Sequence, residues 1–135
     1  MSVELKGVKE LERQLERRFG ETAMRRKADD ALEKASEYLL KELKKNFEVF
    51  KDTGASIDEM QKTKPFTAAS DKLRTVVIDW VGPMDRFRLI HLNEHGYERN
   101  GIKYTPRGMG VIAKALESSE SRYRQIIKEE LRRSL

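Results

Sequence analysis

One long run of helical periodicity, at about residues 22–50, constrains the fold of this chain more than any other feature. Its apolar residues recur every three or four positions: Met24, Ala28, Leu32, Ala35, Leu39, Leu43, Phe47 and Phe50. Such spacing places them on one face of a helix, which at this length would extend roughly 40 Å. That is long for a chain of 135 residues. Two interpretations follow: the helix crosses the whole domain, or part of its apolar face packs on another chain.

Shorter patterns on both sides of this helix complete the predicted fold. Residues 7–19 and about 110–133 show helical spacing, and the β-branched run RTVVIDWVG at 74–82 indicates a strand. This strand is apolar on both faces near its centre, as expected of a central, covered strand. Helices followed by strands and a final helix predict an α+β fold. We expect a single α+β domain over residues 1–135, with a small antiparallel sheet packed against the long N-terminal-half helix and a C-terminal helix.

Three connecting segments have weaker patterns. Residues 51–72 are rich in Gly, Pro, Ser and Thr and lack periodicity, which predicts a flexible loop with at most one helical turn after Thr53. Residues 85–95 fit a short helix that ends at Gly96, and an alternating strand fits them as well. The Asn100-Gly101 pair between short flanks predicts a two-residue hairpin turn.

Composition excludes several classes of protein. The chain has 28 Lys and Arg against 23 Asp and Glu, a net charge of +5, and no cysteine. The absence of cysteine excludes a disulfide scaffold, a thiolate zinc site and a cysteine nucleophile. The apolar runs are short and the N-terminus lacks the pattern of a signal peptide, so we expect no membrane partner and synthesis in the cytosol.

The two histidines are the strongest candidates for chemistry in the chain. His91 and His95 would lie one turn apart on a helix, with Glu94 beside them, which is the spacing of a two-histidine metal pair. In the metalloprotease motif, however, a glutamate directly follows the first histidine, and here Leu92 occupies that position. We therefore predict no catalytic residue, no cofactor and no metal site. A metal-dependent enzyme that uses His91 and His95 remains an alternative.

Basic clusters suggest a second alternative, a nucleic-acid-binding module. Arg25, Arg26 and Lys27 are consecutive, and further arginines lie in the last helical segment. Because charges of both signs alternate along these helices, solvated faces with i,i+4 pairs are the favoured interpretation of the clusters.

Residues 82–116 resemble a family of small neck proteins of long-tailed phages and Gram-positive prophages, the head–tail joining or tail-completion proteins of the HK97 type. The resemblance rests on the run His91-Leu92-Asn93-Glu94 followed by Gly96, the Asn100-Gly101 turn, the step Pro106-Arg107-Gly108 and a final helix that begins near Val111. The opening VELKGVKELERQL and the step Asp52-Thr53-Gly54 are also similar to this family.

The resemblance implies a structural virion protein that is not an enzyme and needs no cofactor. Its expected partners are copies of itself in a ring, the head connector and tail proteins, and the DNA in the channel is a further possible contact. The expected location is the virion neck, after assembly in the host cytoplasm. The matching positions are assigned to the fold or to subunit contacts, with Glu94 and Arg107 as a candidate ion pair across an interface: His91, Asn93, Glu94, Gly96, Pro106, Arg107 and Gly108. On docking, the 51–72 loop and the hairpin are expected to become ordered.

Overall fold

The computed structural model describes residues 2–48, 54–84, 87–106 and 109–133 and shows an α+β architecture. The elements follow in the order β1 (Val3–Lys6), α1 (Lys9–Phe19), α2 (Glu21–Phe47), α3 (Ala55–Asp58), β2 (Met60–Lys62), β3 (Phe66–Thr67), β4 (Arg74–Trp80), α4 (Phe87–His95), β5 (Tyr97–Arg99), β6 (Ile102–Tyr104) and α5 (Val111–Arg133). This confirms the predicted fold class: small antiparallel sheets accompany a long helix in the N-terminal half and a C-terminal helix.

Strand β4 forms the centre of the main sheet. β1 pairs with one of its edges, and β2 and β3 pair with the other, all antiparallel. The face of β4 that carries Val76, Ile78 and Trp80 is buried, whereas Val77 and Asp79 on the opposite face are only half-buried. The prediction of a central strand is therefore confirmed, and the second face is covered only in part, since Thr75 on that face is also buried.

Helix α2 lies across the sheet and packs along α5. Its buried positions are Met24, Ala28, Ala31, Leu32, Ala35, Ser36, Leu39, Leu43 and Phe47. They join residues of the sheet and of α5 in two adjoining clusters, in one of which the Phe47 and Trp80 rings stack with centroids 5.7 Å apart. The apolar face of this helix is thus covered by its own chain as far as Phe47, which favours the interpretation that the helix crosses the domain. Phe50 lies outside the described residues.

The segment 51–72 corrects the loop prediction. Within its described part, residues 54–72, the chain forms the single turn α3 and the strands β2 and β3. The Trp80 indole N–H donates to the Ser56 carbonyl at 2.9 Å, and the Met60 side chain is buried. These strands are hard to predict from the sequence because they are short and interrupted. The strand structure breaks at Thr63–Pro65, where the Thr63 N–H donates to the Val77 carbonyl and the Thr63 hydroxyl oxygen accepts the Val77 N–H.

Strand β1 was not predicted from the sequence. Val3 and Leu5 are buried beneath α2, whereas Glu4 is exposed. This period-two alternation is the signal of a half-buried strand, but it extends over only four residues. Of the two conformations left open for residues 85–95, the described part, Phe87–His95, adopts the helix, α4. No helix within the described ranges is both long and apolar enough to cross a bilayer.

Glu12 provides a test of the packing at the start of α1. Burial raises the pKa of this carboxyl above its ordinary value of 4.5. The folded state therefore binds more protons than the unfolded state between the two pKa values, and stability falls as the pH rises through that window. We expect wild type to lose stability relative to Glu12→Gln over this pH range. Urea unfolding as a function of pH measures the difference, with the exposed Glu10→Gln as control; parallel curves for wild type and Glu12→Gln would contradict the prediction.

Candidate assembly surface

Glu94 connects α4 to the start of α5. Its side chain is only 5% exposed. One carboxylate oxygen accepts the backbone N–H of Ile112 at 2.8 Å, and the other accepts that of Ala113 at 2.9 Å. The Glu94 carbonyl accepts the N–H of Gly110 at 2.9 Å. These N–H groups lie at the start of α5, where a helix has no internal acceptors for them and where negative charge is favoured. Glu94 therefore fixes the end of α4 to the beginning of α5.

Gly96 and Pro106 mark the two ends of the hairpin formed by β5 and β6. Gly96 has φ +72°, and a Cβ at this position would lie 3.0 Å from the carbonyl oxygen of Tyr104. A side chain would thus be strained by the backbone conformation and crowded by the neighbouring strand. At the other end, the half-buried Pro106 accepts the N–H of Met109 at 3.1 Å in the turn that leads to α5.

The hairpin itself is exposed along both of its strands. Tyr97, Glu98 and Arg99 pair with Tyr104, Lys103 and Ile102, and all six residues are exposed. Asn100 and Gly101 form the connecting turn with positive φ at both positions, 53° and 78°. The predicted two-residue turn is confirmed, because positive φ at both positions defines the type I′ geometry that matches the strand twist.

Tyr97, Arg99, Ile102 and Tyr104 share one face of the hairpin, so all but the arginine are aromatic or aliphatic there. The rings of Tyr97 and Tyr104 stack with centroids 5.0 Å apart. Ile102 is 56% exposed and lies on the same face, because residues two apart along a strand point the same way. Two-stranded hairpins are marginally stable alone in water, so this one depends on the anchors at its base, where Gly96 contacts Tyr104 and Glu94 holds α5.

Exposed apolar side chains concentrate in this part of the chain. Among the side chains that the structure describes, ten large hydrophobic ones are exposed, and eight of them lie between residues 81 and 109: Val81, Met84, Leu89, Leu92, Tyr97, Ile102, Tyr104 and Met109. Single exposed hydrophobic residues are normal on a soluble protein, whereas a concentration of them indicates an interaction site. We call the hairpin with Leu92 and Met109 the assembly surface.

A second buried glutamate, which sequence reasoning missed, supports the neighbouring turn. Glu59 is 6% exposed, and its side chain accepts the backbone N–H of Met84 while its carbonyl accepts that of Val81 at 3.0 Å. A Cβ on Gly82 would lie 2.6 Å from the Glu59 side chain, so this position needs a glycine. No local pattern distinguishes Glu59 from a surface glutamate, because its partners lie more than 20 residues away in the sequence.

The residues that the sequence assigned to the fold or to subunit contacts are described only in part. Glu94 serves the fold within its own chain, where each of its carboxylate oxygens accepts a backbone N–H; its pairing with Arg107 across an interface stays a prediction. Arg107 and Gly108 lie outside the described residues. His91 and Asn93 lie on α4, and their side chains are not among those described. His95 is exposed at the end of that helix.

The contacts of Glu94 count against the alternative in which it binds a metal together with His91 and His95. Because each oxygen of Glu94 accepts a backbone N–H, this carboxylate is directed into the start of α5. Within the described part of the chain, no group of three or more His, Asp or Glu side chains is arranged to hold a metal ion.

The basic clusters lie on helix surfaces of mixed charge. Arg25 and Arg26 are exposed on α2, and the Lys27 ammonium lies 4.9 Å from the centroid of the Phe19 ring. On α5, Arg124 pairs with Glu120 at 3.0 Å, and Arg133 pairs with Glu130 at 3.1 Å. This arrangement is typical of solvated helix faces.

Comparisons with protein families, with curated proteins and with solved structures give no match to this chain.

Proposed function

We propose that this chain is a structural protein of a phage or prophage virion, which joins the head connector to the tail at the neck through protein–protein contacts. The observation that carries the proposal is the β5–β6 hairpin, whose six residues are all exposed and which leaves Tyr97, Ile102 and Tyr104 between 40% and 56% open to solvent. An exposed apolar surface of this kind is typical of a subunit that buries it against partners in an assembly.

The resemblance to neck proteins and the geometry support each other at the same residues. Glu94 and Gly96, two of the positions that carry the resemblance, anchor the base of the hairpin, and Asn100 and Gly101 form its turn. An exposed contact element needs residues beneath it that hold it in a fixed position, and these residues have that role for the hairpin.

In this role the chain contacts copies of itself in a ring, the head connector and tail proteins. It acts in the virion neck after assembly in the host cytoplasm, without catalysis and without a cofactor. The net charge of +5 also suits a position beside the DNA in the channel.

Electron microscopy of particles from the encoding phage or prophage tests the proposal. Deletion of the gene is expected to give DNA-filled heads beside unattached or aberrant tails, and expression of the wild-type gene in trans is expected to restore joined particles. Normal joined particles after the deletion would contradict the proposal. Steeply salt-dependent binding of DNA by the purified chain would then favour the nucleic-acid-binding alternative.

A further inference from the structure

One edge of the main sheet is open. In the part of the chain that the structure describes, β1 pairs only with β4. Val77, which lies opposite Glu4, directs its backbone N–H and C=O to the other side of β4, where both bond to Thr63. Because bonded and non-bonded pairs alternate along an antiparallel ladder, Glu4 and Val77 form a non-bonded pair. The backbone N–H and C=O of Glu4 therefore point away from the sheet.

The hairpin has an open edge of the same kind. In a two-residue hairpin the pair that flanks the turn, here Arg99 and Ile102, exchanges backbone hydrogen bonds. By the same alternation Tyr97 and Tyr104 are bonded, and Glu98 and Lys103 are not. The backbone groups of Lys103 thus point outward from β6.

The two edges are complementary in side chains as well as in hydrogen bonding. With Lys103 opposite Glu4 in an antiparallel pair, Ile102 faces Leu5 and Tyr104 faces Val3. The apolar face of the hairpin then continues the buried face of the sheet, and a positive side chain lies opposite a negative one. The Glu4 side chain is 53% exposed, and its neighbour in the described structure is the Lys6 ammonium at 3.5 Å.

The other available edges fit less well. On the hairpin, β5 would place Glu98 opposite Glu4, and like charges directly opposite each other are destabilising. On the sheet, the outer edge of β2 and β3 presents Lys62 and is interrupted at Thr63–Pro65. The favoured pairing is therefore β6 with β1.

We propose that β6 of one subunit adds to β1 of a second copy of this chain, in antiparallel register with Lys103 opposite Glu4. The two edges are different surfaces of the same chain, so the contact is head-to-tail and closes into a ring when the rotation per subunit permits it. The biological meaning of such a ring rests on the proposed neck function, whereas the pairing itself is a property of the chain alone.

Cysteine cross-linking tests the register directly. The chain has no native cysteine, and both positions are exposed. Bonded antiparallel neighbours have Cα atoms about 5.5 Å apart, within the span of a disulfide. We expect an equimolar mixture of Glu4→Cys and Lys103→Cys to give reducible heterodimers on mild oxidation, and the double variant to give a ladder of reducible multimers. Each single variant alone is expected to give little cross-linking. No cross-linking in the mixture, or dimers of Lys103→Cys alone at equal yield, would overturn the proposal.

Charge reversal gives an independent measurement by analytical ultracentrifugation. Glu4→Lys and Lys103→Glu each place like charges opposite each other, so each alone is expected to associate at least tenfold more weakly than wild type. In an equimolar mixture every head-to-tail contact regains opposite charges, and association is expected to return. Persistent weak association in the mixture, or a wild type that stays monomeric at its highest soluble concentration, would contradict the pairing.

The two proposals fail separately. Cross-linking is measured on the purified chain, and joining is measured on particles. A joining defect on deletion without cross-linking would refute only the strand pairing, whereas cross-linking with normal particles on deletion would refute only the neck function.

Discussion

Replacement of Glu94 by alanine is expected to lower the free energy of unfolding by about 2–4 kcal/mol. The substitution removes the acceptors of two backbone N–H groups at the start of α5, at Ile112 and Ala113. Loss of a helix cap typically costs about 1 kcal/mol, and a buried donor without a partner costs about 1–3 kcal/mol. Urea unfolding followed by circular dichroism measures the change.

Two variants complete the test of Glu94. Glu94→Gln keeps one carbonyl oxygen as an acceptor, so its effect is expected to be about half that of Glu94→Ala. The control Glu117→Ala removes an exposed glutamate from α5, the helix whose start Glu94 caps, and is expected to stay within about 0.5 kcal/mol of wild type. If Glu94→Ala and Glu117→Ala were equally stable, the proposed anchor between α4 and α5 would be wrong.

Removal of the aromatic face of the hairpin is expected to abolish assembly while leaving the body of the protein folded. In the double variant Tyr97→Ser/Tyr104→Ser, the stacked rings are lost from a hairpin that packs little on other elements. Aromatic anchors at interfaces commonly contribute 2 kcal/mol or more, equivalent to about 30-fold in affinity. In cells that carry the deletion, this variant is expected to restore joined particles at least tenfold less well than the wild-type gene.

Phe66 provides a matched control for the hairpin variant. It is 39% exposed on β3, close to the 41% of Tyr104, and it lies outside the assembly surface. Phe66→Ser is therefore expected to restore joined particles at the wild-type level. Both variants should retain the circular dichroism spectrum and the unfolding midpoint of the folded body. Full complementation by Tyr97→Ser/Tyr104→Ser would show that the hairpin is not the assembly surface.

The parts of the fold that sequence reasoning predicted correctly are those with long or unambiguous local signals. The apolar spacing from Met24 to Phe47 repeats over more than about six turns of helix, and the Asn100-Gly101 pair has a backbone requirement that few other residues meet. Each signal is contained within a single element. Neither signal depends on contacts with distant segments of the chain.

The parts that were missed depend on contacts between distant segments. The sequence assigned Glu94 to the fold or to subunit contacts without naming a partner in its own chain, and only the fold places its carboxylate at the start of α5. Glu59 likewise becomes a buried anchor only when the 81–84 turn packs against it. Strands β1, β2 and β3 are each four residues or shorter and are stabilised chiefly by their pairing with β4. Such strands carry too few residues for periodicity to reveal them.

The candidate assembly surface, like the fold, could be predicted from the sequence only in part. The sequence singled out positions between residues 91 and 108, and in the structure two of them, Glu94 and Gly96, lie at the base of the hairpin. The apolar residues of the hairpin, Tyr97, Ile102 and Tyr104, were absent from the sequence-based set. Their exposure cannot be predicted from the sequence, because a buried hairpin and an exposed hairpin have the same local sequence pattern.

Localisation of the chain in intact virions tests the central claim most directly. Purified particles would be labelled with an antibody against the chain and imaged by electron microscopy, with particles from the deletion strain as the control for specificity. The neck assignment predicts label at the head–tail junction of joined particles and none on particles from the deletion strain. Label spread over the capsid or along the tail, or purified virions without the chain, would contradict it.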